Sequence, residues 1–209
     1  MKTPDTDTLT SIQGLIFDLD GTLVDSRLDF TAIRHELACP EGVGVLEFIA
    51  SLPKEDRSPA EKIVLQHERR GAERAQWMPG ARECLEYCER ANLPTAILTR
   101  NAREVADLTL TRLGIRVDMM LAREDCAPKP APDGLLQIAD AWGLPPANLV
   151  YVGDFIYDLQ AARRAEMISC FYDPQETGNY QAETDWHLAG FEQLTAMLGT
   201  ISGIAAPPD

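Results

Sequence analysis

Short apolar runs of strand type alternate with segments whose apolar residues recur at helical spacing along most of the 209-residue chain. On one such segment, Ala81, Cys84, Leu85 and Cys88 fall on a single helical face. The strand-type runs are residues 15–17, 94–98, 117–121, 149–152, 168–172 and 186–188. Strands that alternate with helices favour a parallel sheet joined by right-handed crossovers. The pattern therefore predicts an α/β fold with a doubly wound parallel sheet.

The helices of this predicted core have recognisable ends. Asn92, Gly114 and Gly143 each follow an apolar helical face, and these residue types commonly end a helix in the left-handed conformation. Asn101 and Glu104 have the spacing of a capping box, which predicts that a helix starts there. We expect residues 1–11 to be a loose leader and the tail after residue 199 to be frayed.

Residues 26–78 interrupt the alternation, since they are richer in charge and have helical rather than strand patterning. Within them, Ser58 followed by Pro59 and then by Glu61 is typical of a helix start, with a capping serine and proline at the first helical position. We therefore expect a small helical cap inserted after the first strand. The core domain would then consist of residues 12–25 and 79–199.

The composition narrows the range of partners. A formal net charge of −14 repels phosphate backbones, which argues against nucleic acid, although a metal ion and one lysine can still attract a small phosphate ester. The five cysteines form no CxxC pair and are odd in number, which suits a reducing compartment. There is no signal-type apolar segment and no run of membrane-spanning length. We expect a cytoplasmic protein without a membrane partner, and the pattern specifies no oligomeric state.

Polar side chains follow four of the predicted strands. Asp18 and Asp20 come after the first strand and Thr99 after the second, Lys129 lies in the loop after the third, and Asp154 with Asp158 follows the fourth. Each could by itself be an ordinary turn, cap or surface residue. However, the carboxyl ends of parallel strands lie at one edge of the sheet, where ligands bind in this class of fold. The sequence thus predicts one polar site at that edge.

This set of side chains suits phosphoryl transfer through an enzyme carboxylate. One aspartate can attack phosphorus, and a second can protonate the leaving oxygen and later deprotonate water. Mg²⁺ prefers the oxygen ligands that Asp18 and Asp154 can supply. The hydroxyl of Thr99 and nearby backbone N–H groups can hold phosphate oxygens, and Lys129 can offset the charge that gathers on the nucleophile and the phosphoryl group.

The segments that carry these residues resemble the four motifs of the haloacid dehalogenase superfamily. The subgroup they are most similar to is the phosphoglycolate phosphatase-like hydrolases with a helical cap after the first motif. The four matching segments are residues 18–23 (DLDGTL), Thr99, Lys129 with Pro130, and residues 153–158 (GDFIYD). The resemblance implies a Rossmann-like core and a Mg²⁺-dependent phosphatase whose partner is a small phosphorylated metabolite, of the phosphoglycolate or sugar phosphate type.

The resemblance also implies a role for each motif residue. Asp18 would be the nucleophile and Asp20 the general acid and base, while Thr99 would bind phosphate and Lys129 would stabilise charge. Metal ligands would come from Asp18, Asp154 and the backbone carbonyl of Asp20. Asp158 would support the metal site or Lys129, and Arg100 and Asn101 would have supporting positions beside Thr99.

Three features depart from the superfamily pattern or lie outside its motifs. Phe155 stands where many members have Ser or Thr, and Glu166 replaces a frequent glycine. The interval between the first two motifs is short, which predicts a reduced cap.

The candidates for binding the non-phosphate end of the substrate are Arg27, Arg34 and Arg100, together with a loop over residues 39–44 that contains Gly42. For each arginine, a solvated surface charge is the alternative.

Other functions remain compatible with these motifs. A dehalogenase usually lacks an aspartate at the position of Asp20, whereas a phosphomutase of the β-phosphoglucomutase kind would retain it. A signalling receiver domain combines similar residues, but it lacks the insertion and is shorter. A phospho-ligand binding protein without turnover is a further alternative. The full polar set argues against a binding protein without turnover, and the phosphomutase remains the nearest rival of the phosphatase hypothesis.

Overall fold

The computed structural model describes residues 9–202, with only the backbone described for the last two. The strands are β1 (Gly14–Phe17), β2 (Val24–Asp25), β3 (Gln76–Trp77), β4 (Thr95–Leu98), β5 (Met119–Leu121), β6 (Leu149–Gly153), β7 (Ile168–Tyr172) and β8 (Trp186–Leu188). The helices are α1 (Phe30–Leu37), α2 (Val45–Ser51), α3 (Lys54–Arg74), α4 (Ala81–Arg90), α5 (Arg103–Leu113), α6 (Asp133–Trp142), α7 (Ile156–Arg164) and α8 (Phe191–Ser202). Two short 3₁₀ turns occupy Pro146–Asn148 and Gln181–Glu183.

Six strands form one parallel sheet in the order β5-β4-β1-β6-β7-β8. Its central strand β1 is apolar throughout because it is covered on both faces, as parallel sheets usually are. Leu15 and Phe17 belong to the apolar cluster on one face, and Ile16 belongs to the cluster on the other. The predicted doubly wound α/β fold is confirmed, and all six predicted strands are present.

The strand order places the polar strand ends next to one another. The chain passes from β1 to β4 on one side of it and later to β6 on the other side. Such a switch point opens a crevice at the carboxyl edge of the sheet. Asp18, Thr99 and Asp154 directly follow these three adjacent strands. The topology therefore brings together residues that are up to 136 positions apart in the sequence.

The inserted segment is helical and leaves the core through a narrow neck. The short strands β2 and β3 pair antiparallel, and α1, α2 and α3 lie between them in sequence. These helices have a small apolar cluster of their own, built around Ile33, Ile49, Ala60 and Val64. This arrangement supports the proposed division of the chain into a core and a cap. None of the described helices combines the length and apolar composition that a bilayer-spanning helix needs.

Three boundary predictions are wrong. Helix α3 starts at Lys54 and contains Pro59, because burial of Ala60 and Val64 in the cap cluster outweighs the local cost of proline. The predicted capping box before α5 does not form, since the side chain of Asn101 is engaged elsewhere. The last helix extends to Ser202, three residues beyond the predicted end of the core, and residues 203–209 of the expected frayed tail lie outside the described range. The helix ends at Asn92, Gly114 and Gly143 are confirmed by positive φ angles, and residues 1–8 of the predicted leader lie outside the described range.

Glu166 adopts a backbone conformation that favours glycine. It follows α7 with φ 57°, its N–H donates to the carbonyl of Arg163, and the N–H of Met167 donates to that of Ala162. This is the hydrogen-bond pattern of a Schellman motif, in which the left-handed residue is usually Gly. The departure from the superfamily pattern noted in the sequence is thus accommodated at a cost in backbone strain.

We expect Glu166→Gly to raise the free energy of unfolding by about 0.5–1 kcal/mol, since glycine relieves the strain of the left-handed conformation. Urea denaturation monitored by circular dichroism measures this change. Glu166→Ala is the matched control, because it removes the carboxylate but keeps the β-carbon. An equal gain in the alanine variant would show that the side-chain charge, and not the backbone, is responsible.

Candidate active site

Asp18 lies at the carboxyl end of β1, at the bottom of the crevice. Its backbone N–H donates to the carbonyl of Val152, which extends the sheet ladder by one residue and holds the carboxylate above the strand ends. Its Oδ1 is 2.8 Å from Nζ of Lys129. Burial raises the pKa of Asp18 well above its ordinary value, and the positive charge of Lys129 only partly offsets this. The carboxylate is therefore poorly solvated, as a nucleophile in a closed site should be.

Lys129 is the centre of a buried hydrogen-bond network. Besides Asp18, its Nζ lies 2.6 Å from Oδ1 of Asp158, 2.9 Å from the hydroxyl of Tyr151 and 3.3 Å from the carbonyl of Leu98. Burial acts to lower the pKa of Lys129, but the two carboxylates outweigh this and the pKa is raised. The ammonium group therefore remains charged beside Asp18.

The carboxylate of Asp158 holds Lys129 and the N-terminus of its own helix, α7. Its Oδ1 also accepts from the Tyr151 hydroxyl at 3.0 Å, and its Oδ2 accepts from the backbone N–H of Phe155 at 3.1 Å. Any side chain at Gly153 would collide with it. With both oxygens occupied, Asp158 is placed to orient Lys129 more than to bind a metal.

Asp154 provides a further carboxylate at the carboxyl edge of the sheet, directly after β6. The hydroxyl of Thr22 donates to its Oδ1 at 3.1 Å, and its carboxylate packs so closely on Gly21 that a β-carbon there would collide with it. Burial, followed by the nearby charge of Asp158, raises the pKa of Asp154 to about 6. When burial raises the pKa of a carboxyl group, its ionised form is strongly stabilised by a cation that binds beside it.

The acidic cluster fits a hard divalent cation. Carboxylate oxygens of Asp18, Asp154 and Asp158 all lie within 4.8 Å of one another. Oxygen-only donors of this kind suit Mg²⁺, which usually takes one or two carboxylates and keeps several waters. Because Asp158 is held by Lys129 and Tyr151, Asp18 and Asp154 are the side chains of this cluster left to hold the metal.

Asp20 lies in the same cavity, but its carboxylate is outside this cluster. The side-chain amide of Asn101 donates to its Oδ2. Burial raises the pKa of Asp20, while hydrogen bonds from Ser26 and Asn101 act to lower it. A carboxyl group with a raised pKa holds a proton at higher pH than a free aspartate does, which suits it to donate that proton to a leaving group.

The residues after β4 form the opposite wall. The hydroxyl of Thr99 is buried and accepts from the N–H of Asn101 at 3.1 Å, so that it lies in the turn before α5. Arg100 extends toward the cap, where its Nη2 is 2.5 Å from Oε1 of Glu47 and its guanidinium lies over the ring of Tyr157 at 5.1 Å.

All the residues singled out from the sequence line one cavity of about 670 Å³ between the sheet edge and the cap. Of the cap candidates, Arg27 is mostly exposed and pairs with Asp25, as the solvated alternative predicts. Arg34 donates to the carbonyl of Pro40 at 3.0 Å. Gly42 has φ 78° and open space around its Cα, so the 39–44 loop can pass close to a ligand.

Four further residues of the site were not singled out from the sequence. Tyr151 lies in an apolar strand, where its hydroxyl was the one polar group of the run. Thr22 lies within the first motif, and Glu47 is the cap partner of Arg100. Glu68 is buried on α3, with its Oε1 2.7 Å from Nη1 of Arg123 on the core. The signal for Glu68 was weak, because a single carboxylate on a charged helix resembles a surface residue.

Comparisons with known proteins agree with this geometry. A family model described as haloacid dehalogenase-like hydrolase matches residues 12–166. A haloacid dehalogenase-like hydrolase domain-containing protein of Arabidopsis thaliana is 29% identical over 199 residues, which cover 90% of this chain and 80% of that protein. A phosphoglycolate phosphatase of Xylella fastidiosa is 29% identical over 177 residues, covering 74% and 77% of the two chains.

A solved structure supports the fold independently. The crystal structure of a hydrolase from Pseudomonas syringae superposes with a TM-score of 0.77 at 24% identity, and the match covers 91% of this chain and 99% of that one. The family model spans most of the sequence, including every strand end that carries a polar residue of the site. The chain therefore belongs to the haloacid dehalogenase-like hydrolase family, as its four motifs led us to expect.

Proposed function

We propose that this hydrolase is a Mg²⁺-dependent phosphatase that cleaves a small phosphomonoester through a phosphorylated Asp18. The observation that carries the proposal is the asymmetric environment of the Asp18 carboxylate. Lys129 holds Oδ1 at 2.8 Å, which leaves Oδ2 to act as nucleophile, and the acid Asp20 lines the same cavity. Nucleophile, charge partner and proton donor are therefore gathered around one space that a phosphoryl group can enter.

In the first step, Oδ2 of Asp18 forms a bond to phosphorus as the ester P–O bond breaks. Asp20 gives its proton to the departing alkoxide, so that the alcohol leaves neutral. Lys129 and the hydroxyl of Thr99 balance the charge on the phosphoryl oxygens. Bound between Asp18 and Asp154, Mg²⁺ would reduce the repulsion between the carboxylate and the phosphate dianion.

In the second step, the ionised Asp20 takes a proton from a water molecule as its oxygen bonds to phosphorus. The bond to Asp18 breaks, and inorganic phosphate leaves. Asp20 ends protonated and Asp18 ends as a free carboxylate, which restores both groups for another cycle. The raised pKa of Asp20 supports this dual use, since proton transfer is most efficient when the pKa lies closer to the working pH.

Phosphoglycolate and sugar phosphates are the first candidate substrates. Phosphoglycolate is the substrate for which the Xylella relative is named, and sugar phosphates are the second type implied by the resemblance of the sequence motifs. We also propose a cytoplasmic location, which is supported by five cysteines that are all free thiols and mostly buried.

A panel of phosphate esters assayed with and without Mg²⁺ tests this function. We expect release of inorganic phosphate that needs Mg²⁺ and stops when the metal is chelated. Isomerised sugar phosphate without free phosphate would favour the phosphomutase alternative. Tight, stable binding of an ester with no product would favour the binding-protein alternative.

The Mg²⁺ site can also be tested without activity. Because the pKa of Asp154 in the fold is about 6 and its ordinary value is 3.8, the folded protein keeps a proton that the unfolded chain releases. This group therefore makes the metal-free fold less stable as pH rises from about 4 through 6. Mg²⁺ at ten times its Kd should raise the melting temperature by roughly 3–5 °C at pH 8, and by much less at pH 5 where protons compete.

Differential scanning fluorimetry with Mg²⁺ or EDTA at the two pH values measures both effects. Asp154→Asn is expected to remove the Mg²⁺ response. The control Asp140→Asn alters an exposed carboxylate on α6 and should retain the response. A full Mg²⁺ response in Asp154→Asn would place the metal elsewhere.

A further inference from the structure

The exposed apolar side chains of the described residues are concentrated at the mouth of the active-site cavity. Of the residues that the structure describes, only four large hydrophobic ones are exposed. Phe30, 58% exposed, and Phe155, 47% exposed, both line the cavity, and Val43 lies between two of its lining glycines. Leu136, on α6, is the one that lies apart. Exposed apolar surface gathered at a binding cavity indicates a ligand that covers it.

Phe155 is held in place although half of it is exposed. Its ring packs edge to face against Tyr157 at a centroid distance of 5.2 Å and against Tyr180 at 6.1 Å. Tyr180 in turn packs on Phe171 at 5.4 Å. Phe155 is also the residue directly after Asp154, at the position where the sequence departs from the superfamily pattern. A fixed aromatic ring therefore stands beside the phosphoryl site, ready to contact a leaving group.

Three of the four cationic side chains that line the cavity are already paired with carboxylates, which leaves Arg34 as the one available to a second anion on the substrate. Carboxylates outnumber cationic side chains in the lining. Lys129 is bound by Asp18 and Asp158, and Arg27 lies 3.5 Å from Asp25. Among the cationic residues, only Arg34 makes its described contacts with uncharged groups, the Pro40 carbonyl and the Cys39 thiol.

Arg100 is the cation next to the phosphate-binding Thr99, and its charge is also balanced. Glu47 holds its Nη2 at 2.5 Å, while its buried Nε has no hydrogen-bond partner. The free Nε can donate to a neutral oxygen of a substrate, but the neighbouring carboxylate of Glu47 would repel a substrate carboxylate. Arg100 therefore favours an uncharged group over an anion.

We propose that the substrate is a phosphomonoester whose leaving group is uncharged and carries an apolar ring that packs on Phe155 and Phe30. This inference rests on the proposed phosphatase function and deepens it, because it ranks ring-bearing neutral esters above phosphoglycolate. The aromatic contact contributes to binding in the ground state and transition state alike, so its loss raises KM and leaves kcat nearly unchanged.

Three esters with alkyl leaving groups separate the two features: benzyl phosphate, ethyl phosphate and 2-phosphoglycolate. All three have a CH2 group next to the ester oxygen. This group carries a phenyl ring in benzyl phosphate, a methyl group in ethyl phosphate and a carboxylate in phosphoglycolate. We expect kcat/KM to fall in the order benzyl, ethyl, phosphoglycolate. Phe155→Ala should raise the KM for benzyl phosphate about tenfold and change that for ethyl phosphate less than about twofold. Leu136→Ala, which removes an exposed side chain that does not line the cavity, should change neither KM.

Glu47→Gln tests the charge argument separately. Once freed from its carboxylate partner, Arg100 should raise kcat/KM for phosphoglycolate by about tenfold relative to kcat/KM for ethyl phosphate. Ethyl phosphate cleaved as well as benzyl phosphate would overturn the proposal while leaving the phosphatase function intact. The proposal would also be overturned if phosphoglycolate were the best substrate and Arg34→Gln lost activity toward it. Failure of all three esters to give Mg²⁺-dependent phosphate would refute the phosphatase function itself and the inference with it.

Discussion

Asp18→Asn is expected to lower phosphate release by at least about a thousandfold, because the amide cannot attack phosphorus and no phosphoenzyme can form. The measurement is steady-state release of phosphate with saturating Mg²⁺, together with acid quenching to trap any phosphorylated protein. The fold should persist, since burial raises the pKa of Asp18 and a neutral side chain of the same shape avoids that desolvation cost. Phosphate release near the wild-type rate would show that the nucleophile has been assigned wrongly.

Asp20→Asn is the matched comparison, because it removes a carboxylate of the same cavity and keeps the nucleophile. With p-nitrophenyl phosphate, whose leaving group needs little protonation, we expect a slow burst of nitrophenol and a phosphoenzyme that persists. Esters of ordinary alcohols should be cleaved far more slowly by this variant. Loss of the burst as well as the turnover would assign Asp20 to binding or metal coordination and not to proton transfer.

Of the variants considered, Lys129→Met is expected to destabilise the fold most. It should lower the free energy of unfolding by about 3–5 kcal/mol at pH 8. The substitution leaves the carboxylates of Asp18 and Asp158 buried without their counter-charge. Without Lys129, which acts to lower the pKa of Asp18, that already raised pKa rises further. The stability deficit of the variant therefore grows with pH between the wild-type and the variant pKa of Asp18, and it is smaller at pH 5 than at pH 8. Urea denaturation at pH 8 and pH 5 measures the difference.

Two further variants separate this cause from a general loss of packing. Lys62→Met, on the exposed side of α3, should change stability by less than about 0.5 kcal/mol at either pH. The double variant Lys129→Met with Asp158→Asn removes one of the stranded charges and should recover part of the loss. A deficit of the same size at both pH values, unrelieved in the double variant, would mean that the lost hydrogen bonds and packing dominate.

The helix boundaries show where local sequence signals were insufficient. Pro59 has the local signature of a helix start, but α3 runs through it, and Ala60 and Val64 after it are buried in the cap cluster. Asn101 has the spacing of a helix cap, but its side-chain amide donates a hydrogen bond to the buried Asp20, which lies 81 positions earlier in the chain. In both cases an interaction with a distant segment outweighed a local preference of about 1 kcal/mol.

The alternation of apolar strands with helices, and the polar residues at the ends of four strands, were sufficient to predict a parallel α/β sheet with one acidic site at its carboxyl edge. This succeeded because parallel connections oblige those strand ends to share an edge, whatever the details of packing. Only the tertiary structure decided which side chains pair within the site, as with Tyr151 and Lys129 or Glu47 and Arg100. Such pairs depend on the distance of approach between segments far apart in the chain, and no local pattern encodes that distance.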